Sequence, residues 1–415
     1  MKKSGKATLA AVAAVASLTA MTTLSAATAS AAPDRAAPLT GRYIVVLEDG
    51  LDATAVAAEH ARTLGVDPGH VYGSALDGYA ATMPPAVADT LTADPRVAYV
   101  QADRKVTTTA QTTPTGIDRS DAELSPTARI NGTDERVDVD VAVIDTGVDL
   151  DHPDLNVNRA KAKNCALALS ADDDHGHGTH VSGTIGALDN GTGVVGVAPG
   201  ARIWPVKVLN TLGVGFTSDI VCGIDYVTAN AASIEVANMS LGGGGSDDGN
   251  CGQSDGDAEH QAICASVAAG VTYAVAAGND SEDAANSAPA TYNEVITVSA
   301  LADFNGKPGG GAPSTCRSDV DDTFANFSNF GADVDLIAPG VCINSTWMNG
   351  GYNTISGTSM ASPHVAGGAA LYAATHPTAT PAQVKSALQS AGTLDWNDAD
   401  DPDNTKERLL NVATF

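Results

Sequence analysis

The sequence predicts an α/β protein with a largely parallel sheet and helices on both of its faces, preceded by a small α+β module. From about residue 117, strand-like and helix-like segments alternate along the chain, which is typical of parallel sheets built from strand–helix–strand units. Several of the strand-like segments are rich in Val and Ile on both faces, as strands covered on both sides must be. Near the C-terminus, residues 365–372 run without a charge, as in a helix that is buried all round.

Composition limits the classes of function. The 415 residues carry a formal net charge of -27, which argues against nucleic-acid binding because phosphates require a positive surface. Aromatic residues make up only 4% of the chain, whereas glycine is abundant with 42 residues, as in helices packed closely on a sheet. The six cysteines contain no C-x-x-C pair. Disulfides are therefore favoured over a zinc site, with six buried free thiols as the alternative.

The first 31 residues have the pattern of a secretory signal. Lys2, Lys3 and Lys6 provide a basic start, an Ala-, Val- and Leu-rich stretch follows, and residues 29–31 (A-S-A) are small enough for cleavage. A membrane anchor is the alternative, but Ser and Thr interrupt the apolar run and no later stretch is long enough to span a bilayer. We therefore expect a secreted, extracellular protein without a membrane anchor.

Residues 42–104 are predicted to form a separate small module. Its expected elements, in chain order, are strand 43–47, helix 53–64, strand 79–83, helix 85–93 and strand 97–100. This is roughly a βαβ-like α+β unit, and it contains no cysteine. Residues 105–115 are polar and rich in threonine, which predicts an extended linker.

The alternating segments beyond residue 117 make up the α/β part. Strands are predicted at 137–144, 202–208, 235–241, 271–277, 295–300 and 334–338. Helices are predicted at 178–187, 216–230, 258–269, 359–375 and 381–390. Functional residues are expected at the carboxyl ends of the strands, because sites in parallel sheets gather there.

The strongest functional candidate lies in the stretch 357–367, G-T-S-M-A-S-P-H-V-A-G. It predicts a turn that places Ser359 on the first turn of a buried helix, with Pro363 tolerated so early in the helix. Gly357 is expected either for its backbone conformation or because a side chain would block a close approach. A serine at the positive end of a helix dipole, beside free N–H donors, lies where a developing oxyanion is stabilised. The alternative is that Ser359 only caps a core helix.

Two further patterns contain candidate catalytic side chains. Strand 137–144 leads into residues 145–147 (D-T-G), a triplet also found in aspartic proteases, which need two carboxylates; no second D-[ST]-G exists here. Residues 175–183 contain three histidines but no H-E-x-x-H, and the only nearby acids are the aspartates at 172–174. This run predicts either a metal site or one catalytic imidazole at a helix start, with His180 as a structural residue.

Asp145, then a histidine, then Ser359 give the chain order Asp–His–Ser. The blocks V-A-V-I-D-T-G-V-D, H-G-T-H-V-S-G-T and G-T-S-M-A-S-P-H-V-A-G resemble the three signature blocks of the subtilisin-like serine peptidases. The resemblance covers about 117–390. It implies that Asp145 orients the imidazole, that His177 acts as general base and then acid, and that Ser359 is the nucleophile. The other two histidines of the run then have no catalytic role, because only the first histidine of H-G-T-H matches.

The resemblance also implies the rest of the active site. The segment Ala276, Ala277, Gly278 and Asn279 resembles the family's oxyanion segment, in which Asn279 supplies a side-chain N–H₂; a turn asparagine is the alternative. Ser240, Leu241 and Gly242 belong to a segment that resembles the strand pairing with the substrate backbone. These residues, with 276–278, would bind substrate. Walls of Gly and Ala leave a roomy, mostly apolar pocket, so we expect large apolar or aromatic residues before the cut.

The module at 42–104 resembles the family's inhibitory propeptide, opening with R-Y-I-V-V-L and closing with V-A-Y-V-Q-A-D. This implies a signal peptide at 1–31, a propeptide at 32–110 and a catalytic domain at 111–415, with self-cleavage near Ala110. An ordinary accessory domain is the alternative. The implied partners are protein and peptide substrates and the chain's own propeptide, and we expect a monomer.

The chain departs from the family's simplest members by insertions at 244–257 and 302–325. Each insertion holds a cysteine, and both loops flank the expected cleft. Cys251 and Cys264 bracket the first insertion, and Cys316 and Cys342 bracket the second with the strand after it. Cys165 is then left to pair with Cys222.

The resemblance implies no cofactor for the chemistry but one structural calcium site. Its ligands would be the side chains of Gln111, Asp154 and Asn190 and the carbonyl oxygens of Leu188, Thr192 and Val194. Carboxylate, amide and carbonyl oxygens are the ligands that calcium prefers. Two competing functions stay open on sequence alone: a zinc hydrolase built on the histidine run, and a catalytically inactive binding module.

Overall fold

The computed structural model describes residues 41–103 and 110–415. The chain divides between residues 107 and 108 into two compact units. The predicted signal sequence, residue 104 of the predicted module and residues 105–109 of the predicted linker lie outside the described residues. Among the helices that are described, none is both long and apolar enough to cross a membrane.

The first unit, within residues 41–103, is an antiparallel sheet with two helices. Its elements are β1 (Gly41–Leu47), α1 (Ala53–Leu64), β2 (Asp67–Gly73), β3 (Asp77–Met83), α2 (Pro85–Leu91) and β4 (Val97–Ala102). The strand order is β2-β3-β1-β4, and β1 runs antiparallel to both of its neighbours. The α+β class is confirmed, but the βαβ-like arrangement is wrong, since the unit has the split βαββαβ order. Strand β2 was not predicted because Pro68 and Gly69 are typical of turns.

The second unit contains the remaining elements. They are α3 (Thr115–Arg119), β5 (Asp140–Asp145), β6 (Lys163–Asn164), α4 (His177–Gly186), β7 (Arg202–Lys207), α5 (Thr217–Ala229), β8 (Val236–Met239), β9 (Gly243–Gly244), α6 (Ala258–Ala268), β10 (Thr272–Ala276), β11 (Ser287–Ala288), β12 (Ile296–Ala302), β13 (Thr323–Phe324), β14 (Leu336–Pro339), β15 (Ile343–Trp347), β16 (Gly351–Ile355), α7 (Thr358–Thr375) and α8 (Pro381–Ala391). Within residues 110–415 the main sheet has the order β13-β12-β10-β8-β5-β7-β6, with β14 also paired to β12. Its pairs are parallel except β12 with β13.

Strand β5 shows how the sheet is covered on both faces. Successive side chains of a strand point to opposite faces, and those of β5 enter two different cores. Val141 and Val143 belong to a cluster with residues of α4 and α7, whereas Ala142 and Ile144 belong to a cluster with residues of α5 and α6. The predicted α/β class, with a largely parallel sheet between two layers of helices, is therefore confirmed.

The elements missed from the sequence are the short and the half-exposed ones. Strands β6, β9, β11 and β13 contain only two residues each, too few for a periodic pattern. The hairpin of β15 and β16 is rich in Asn, Ser and Thr and alternates between buried and half-exposed positions. Such segments resemble loops in composition, and only their cross-strand pairing identifies them.

Three disulfide bonds fasten loops to the sheet and its helices. The structure joins Cys165 to Cys222, Cys251 to Cys264 and Cys316 to Cys342, with Cα–Cα separations of 5.9, 6.0 and 5.8 Å. These are the pairs expected from the sequence. The second bond ties the loop 244–257 to α6, and the third ties the loop 302–325 to the start of β15. Closing such loops stabilises the folded state by restricting the unfolded chain.

Candidate active site

Strand β5 ends at Asp145, whose side chain is completely buried. Its Oδ1 accepts hydrogen bonds from the backbone N–H of Thr146 (2.7 Å) and from Nδ1 of His177 (2.8 Å). Among the described residues, Oδ2 of Asp145 has no hydrogen-bond partner. His177 is therefore the main partner of this negatively charged carboxylate. The hydrogen bond between the two side chains orients the imidazole ring of His177.

His177 is the first residue of α4. Gly178 allows this helix to start against β5, because a Cβ at residue 178 would overlap the carbonyl oxygen of Gly147 and lie 3.1 Å from Cβ of Asp145. Burial lowers the pKa of His177, but the charge of Asp145 and the hydrogen bond to it outweigh burial, so the pKa lies above the usual range. The ring is thus held in the tautomer with Nδ1–H facing Asp145, which leaves Nε2 free to accept a proton.

Asp173 positions the start of α4, a role that the sequence analysis missed. Its carboxylate accepts the backbone N–H groups of His175 (3.0 Å), Gly176 (2.9 Å) and Thr179 (3.0 Å). It also accepts the hydroxyls of Thr146 (2.9 Å) and Thr179 (2.6 Å). An aspartate just before a helix is a common N-terminal capping signal, so the three aspartates at 172–174 offered a sequence signal for it.

Ser359 lies in the first turn of α7, and nearly all residues of this helix are buried. Gly357 precedes it with φ 161°, an extended conformation open to any residue, so backbone freedom does not explain the glycine. A Cβ at residue 357 would lie 3.6 Å from Oδ1 of Asn279 and 3.7 Å from the backbone nitrogen of Ser359. Both distances are ordinary van der Waals separations, so a Cβ would fit here without a clash, and the expectation that a side chain would block a close approach is not met at this atom.

Pro363 lies inside α7 rather than in its first turn, which corrects the sequence-based expectation. A proline there deprives the carbonyl of Ser359 of the N–H that would come from four residues ahead. The hydroxyl of Ser240 donates to this carbonyl instead, at 2.8 Å. In return, Oγ of Ser359 donates to the carbonyl oxygen of Ser240 at 3.2 Å. Ser240 thus ties the chain after β8 to the start of α7.

Asn279 follows β10 and faces the same edge of the sheet. Its Oδ1 accepts the backbone N–H of Thr358 (2.9 Å) and the Thr358 hydroxyl (3.0 Å). These bonds orient the amide so that its N–H₂ group points away from Thr358. Gly278 has φ +110°, and a Cβ there would overlap the side chain of Asn329. Glycine is therefore required for the turn that delivers Asn279.

Two cavities lie on either side of Ser240, Leu241 and Gly242. The first, of about 500 Å³, is lined by Thr146, His175, His177, Leu209, Leu212, Gly213, Val214, Gly215, Ile220, Ser240, Leu241 and Gly242. The second, of about 320 Å³, is lined by Leu241, Gly242, Gly243, Gly244, Ala276, Ala277, Gly278, Asn279, Asp280, Glu282, Asn286, Ser287, Ala288, Thr358 and Ser359. All six predicted substrate-binding residues therefore line these cavities. Residues 240–242 lie beyond the end of β8, which ends at Met239. The observed strand is therefore shorter than the predicted strand 235–241.

The ring of His180 is held by the hairpin of β15 and β16. It is fully buried, and its Nε2 donates to the carbonyl oxygens of Ile343 (3.0 Å) and Asn353 (3.2 Å). Burial lowers its pKa to about 3, so the ring is neutral and structural. In the part of the chain that the structure describes, the side-chain clusters that could share a metal ion do not include the histidines of 175–180, which argues against a zinc hydrolase built on this run.

Two of the expected calcium ligands, Asp154 and Asn190, are hydrogen-bonded to each other, and Asp154 is 1% exposed. Its carboxylate accepts from Nδ2 of Asn190 (2.9 Å), the N–H of Val194 (3.0 Å) and the hydroxyl of Tyr352 (3.2 Å). Oε1 of Gln111 accepts from the N–H of Gly191 (2.7 Å). Burial raises the pKa of Asp154 to about 6, and its neutral donors only partly oppose this. A buried carboxylate with neutral donors, wrapped by a loop of carbonyls and amides, fits a calcium ion, although Asn190 must turn its amide oxygen toward the ion.

Comparison with known proteins agrees with this geometry. Residues 137–409 match the subtilase family, and residues 42–109 match peptidase inhibitor I9. The chain is 39% identical over 377 residues to an extracellular serine proteinase of Thermus sp. (strain Rt41A), with 84% of each chain covered. It is 38% identical over 321 residues to subtilisin amylosacchariticus of Bacillus subtilis subsp. amylosacchariticus, with 77% of this chain and 76% of that protein covered.

A solved structure supports the same assignment. The crystal structure of a cold adapted subtilisin-like serine proteinase aligns with a TM-score of 0.54 at 35% identity, covering 72% of this chain and 97% of that one. The hydrogen-bonded pair of Asp145 and His177, and Ser359 at the start of a buried helix, therefore lie on a fold that matches that of a subtilisin-like serine proteinase. The chain belongs to the subtilase family and is a serine endopeptidase with an I9-type inhibitor propeptide.

Proposed function

We propose that Asp145, His177 and Ser359 form the catalytic triad of a secreted endopeptidase that processes its own precursor. The observation that carries the proposal is the 2.8 Å hydrogen bond between Oδ1 of Asp145 and Nδ1 of His177. His177 and Ser359 line neighbouring cavities that share Leu241 and Gly242. The proposed segments are a signal peptide at 1–31, a propeptide at 32–110 and a catalytic domain at 111–415. Labelling with a serine-directed sulfonyl fluoride tests the site: modification should map to Ser359, and labelling elsewhere with full inhibition would contradict it.

The geometry supports acyl transfer in two steps. The Ser359 hydroxyl turns from the Ser240 carbonyl toward His177, Nε2 takes its proton, and Oγ attacks the substrate carbonyl carbon. The tetrahedral intermediate collapses when His177 returns the proton to the leaving amine. Water then repeats the sequence on the acyl-enzyme and releases the acid. Asp145 stabilises the imidazolium at each stage.

The oxyanion of the tetrahedral intermediate is placed between two donors. One is the side-chain N–H₂ of Asn279, and the other is the backbone N–H of Ser359 in the first turn of α7, where helix N–H groups are free. Donors that are fixed before reaction stabilise the charge as it develops and need no rearrangement.

The second cavity is the proposed pocket for the residue before the cut. Seven of its fifteen lining residues are Gly or Ala, which leaves room for large apolar or aromatic side chains, while Asp280 and Glu282 also contribute to its lining. Cleavage sites mapped on a mixed protein substrate test this preference. Enrichment of Phe, Tyr or Leu before the cut supports it, whereas enrichment of Arg or Lys would mean that the two acids dominate the pocket.

Activity should fall as the pH drops through the pKa of His177, with a midpoint above the value of about 6.5 of an ordinary imidazole. The general base must be neutral to accept the serine proton, and Asp145 favours the protonated ring, so protonation persists to higher pH. The measurement is kcat/KM between about pH 5 and 10 with a substrate that has no titratable group. A midpoint below that of an ordinary imidazole would contradict the Asp145–His177 coupling.

Residues 33–110, made separately, should inhibit the mature enzyme. The I9 match covers residues 42–109 of this segment, and a tail that occupies the cleft as a product does would gain affinity from the folded module linked to it. Initial rates on a small peptide substrate give the measurement. A matched segment that ends at residue 100 should inhibit far less. Unchanged rates with micromolar amounts of the complete segment would leave the module as an accessory domain.

We also propose that calcium binds at Asp154 with Gln111 and Asn190, and with the carbonyls of residues 188, 192 and 194. Chelation should then lower the melting temperature by mass action on the folded state, without acting on the chemical step. Added Ca²⁺ should restore the melting temperature, and Asp154→Asn should abolish this response. Equal melting temperatures with and without Ca²⁺ in the parent enzyme would contradict the proposed calcium site.

A further inference from the structure

A second group of ligand-type side chains lies on the inserted loop 244–257 and the helix that follows it. We propose that Asp247, Asp248 and His260 bind a divalent metal ion of the zinc type. The ligand atoms of these three residues all lie within 4.8 Å of one another. The proposal does not depend on the triad, because none of these residues lines the cavities beside Ser359.

His260 supplies the observation that points to a ligand. Its ring is 1% exposed and is stacked on Tyr292, with centroids 4.0 Å apart and planes inclined by 5°. Nε2 lies 2.9 Å from Oε2 of Glu294, and a carboxylate can only accept, so Nε2 carries the proton. Nδ1 therefore presents a lone pair, and among the described residues it has no hydrogen-bond partner.

The lone pair of Nδ1 faces negative charge. Oδ1 of Asp247 lies 3.7 Å away, and Oδ1 of Asp248 lies 3.8 Å away. Both separations exceed the about 3.2 Å limit of a good N–H···O bond, so a proton on Nδ1 would not satisfy either carboxylate. Left empty, this arrangement buries a lone pair against two anions, which costs free energy. A cation between the three atoms removes the conflict.

The distances suit a zinc-type ion. Coordination bonds from zinc to imidazole nitrogen and carboxylate oxygen are each about 2.0–2.2 Å, so two of them reach across at most about 4.2 Å. The two separations between Nδ1 of His260 and the carboxylate oxygens, 3.7 and 3.8 Å, fall below this limit. An imidazole nitrogen with carboxylates favours zinc or a similar first-row metal over calcium, which prefers oxygen ligands alone. The sulfurs of Cys251 and Cys264 are bonded to each other and contribute no thiolate.

The surrounding shell holds the three ligands in place. Glu294 fixes the tautomer of His260, the partner that metal-bound histidines usually have. Backbone N–H groups hold the carboxylate of Asp248: Oδ1 accepts those of Asn250 (2.8 Å) and Gly252 (2.8 Å), and Oδ2 accepts that of Ser254 (2.7 Å). These bonds fix the orientation of the carboxylate.

Asp247 is held in the same way. Its Oδ1 accepts the N–H of Gly249 at 2.7 Å, and its Oδ2 accepts Nδ2 of Asn293 at 2.6 Å. The loop that carries Asp247 leaves the cavity wall at β9 only a few residues earlier. A bound ion would therefore brace one wall of the proposed specificity pocket.

The test uses the full chain with Ser359→Ala, which prevents self-digestion, under non-reducing conditions and after treatment with a chelator. Titration with Zn²⁺ in a calorimeter should show one site, and Co²⁺ at that site should give a visible absorption band. His260→Gln and Asp247→Asn should each weaken Zn²⁺ binding at least about ten-fold. Asp255→Asn, an exposed acid on the same loop, is the matched control and should bind as the parent does.

Two outcomes would overturn the proposal. One is Zn²⁺ affinity that stays unchanged in both His260→Gln and Asp247→Asn. The other is binding that disappears in His177→Ala, which would place the ion at the active-site histidines. If His260→Gln fails to fold because it loses the stacking on Tyr292, Asp247→Asn decides alone, since asparagine can still accept the N–H of Gly249.

Discussion

Ser359→Ala abolishes measurable peptidase activity and leaves a folded precursor that keeps its propeptide: this is the largest effect we expect. The substitution removes only Oγ, which donates one hydrogen bond to the carbonyl of Ser240, so stability should fall by only about 1 kcal/mol. Activity should fall by several orders of magnitude. Loss of the same nucleophile in subtilisin lowers kcat by about 2 × 10⁶, and that figure sets the scale.

Three measurements separate catalysis from folding in this variant. Hydrolysis rates give the loss of activity, intact mass shows whether the propeptide remains, and thermal unfolding reports stability. Ser362→Ala is the matched control, because Ser362 is a buried serine of the same helix that bonds to Asn238 (2.8 Å). It should lose comparable stability and keep its activity. Near-normal turnover in Ser359→Ala would show that another residue is the nucleophile.

The parts of the fold that could be predicted are those in which local pattern and burial agree. Val141 and Ile144 in β5 show the apolar character of a strand covered on both faces, and α7 shows an uncharged run long enough for a buried helix. Strand β2 could not be predicted because Pro68 and Gly69 contradict its local pattern, and the pairing with β3 overrides them. The hairpin of β15 and β16 is likewise defined by partners rather than by composition.

The candidate site likewise contains residues that could be predicted from the sequence and contacts that could not. Asp145, His177 and Ser359 lie in short sequence blocks whose residue types indicate their chemistry, so these residues could be predicted. The reciprocal bonds between Ser240 and Ser359 could not be predicted, because they join residues 119 positions apart. These bonds also explain how α7 tolerates Pro363. The hydroxyl of Ser240, which lies outside the helix, donates to the carbonyl that the proline leaves without an N–H partner. The cluster around His260 needs Asp247 and Glu294 from separate loops, and only the folded chain brings these together.

The second large effect is expected for Asp145→Asn. The carboxylate of Asp145 is buried and accepts Nδ1–H of His177, so it fixes the tautomer in which Nε2 can accept a proton. An asparagine that turns its N–H₂ toward Nδ1 would instead favour the tautomer protonated at Nε2, which cannot act as the base. Changes of this kind lower kcat by about 10⁴ in serine peptidases, and we expect a loss of that order here.

The pH profile of Asp145→Asn distinguishes the loss of the Asp145 charge beside His177 from general damage to the fold. Without the charge of Asp145, burial is the largest influence on the pKa of His177 and lowers it, opposed only by the smaller effect of the Asp173 charge. The remaining activity should therefore fall off at a lower pH than in the parent enzyme, although its maximum is much smaller. Asp138→Asn is the control, because Asp138 also lies near β5 but its side chain is 95% exposed, and it should retain the parent rate and profile. An Asp145→Asn enzyme with an unchanged acid limb would mean that another group sets the pKa of His177 and that Asp145 does not orient the ring.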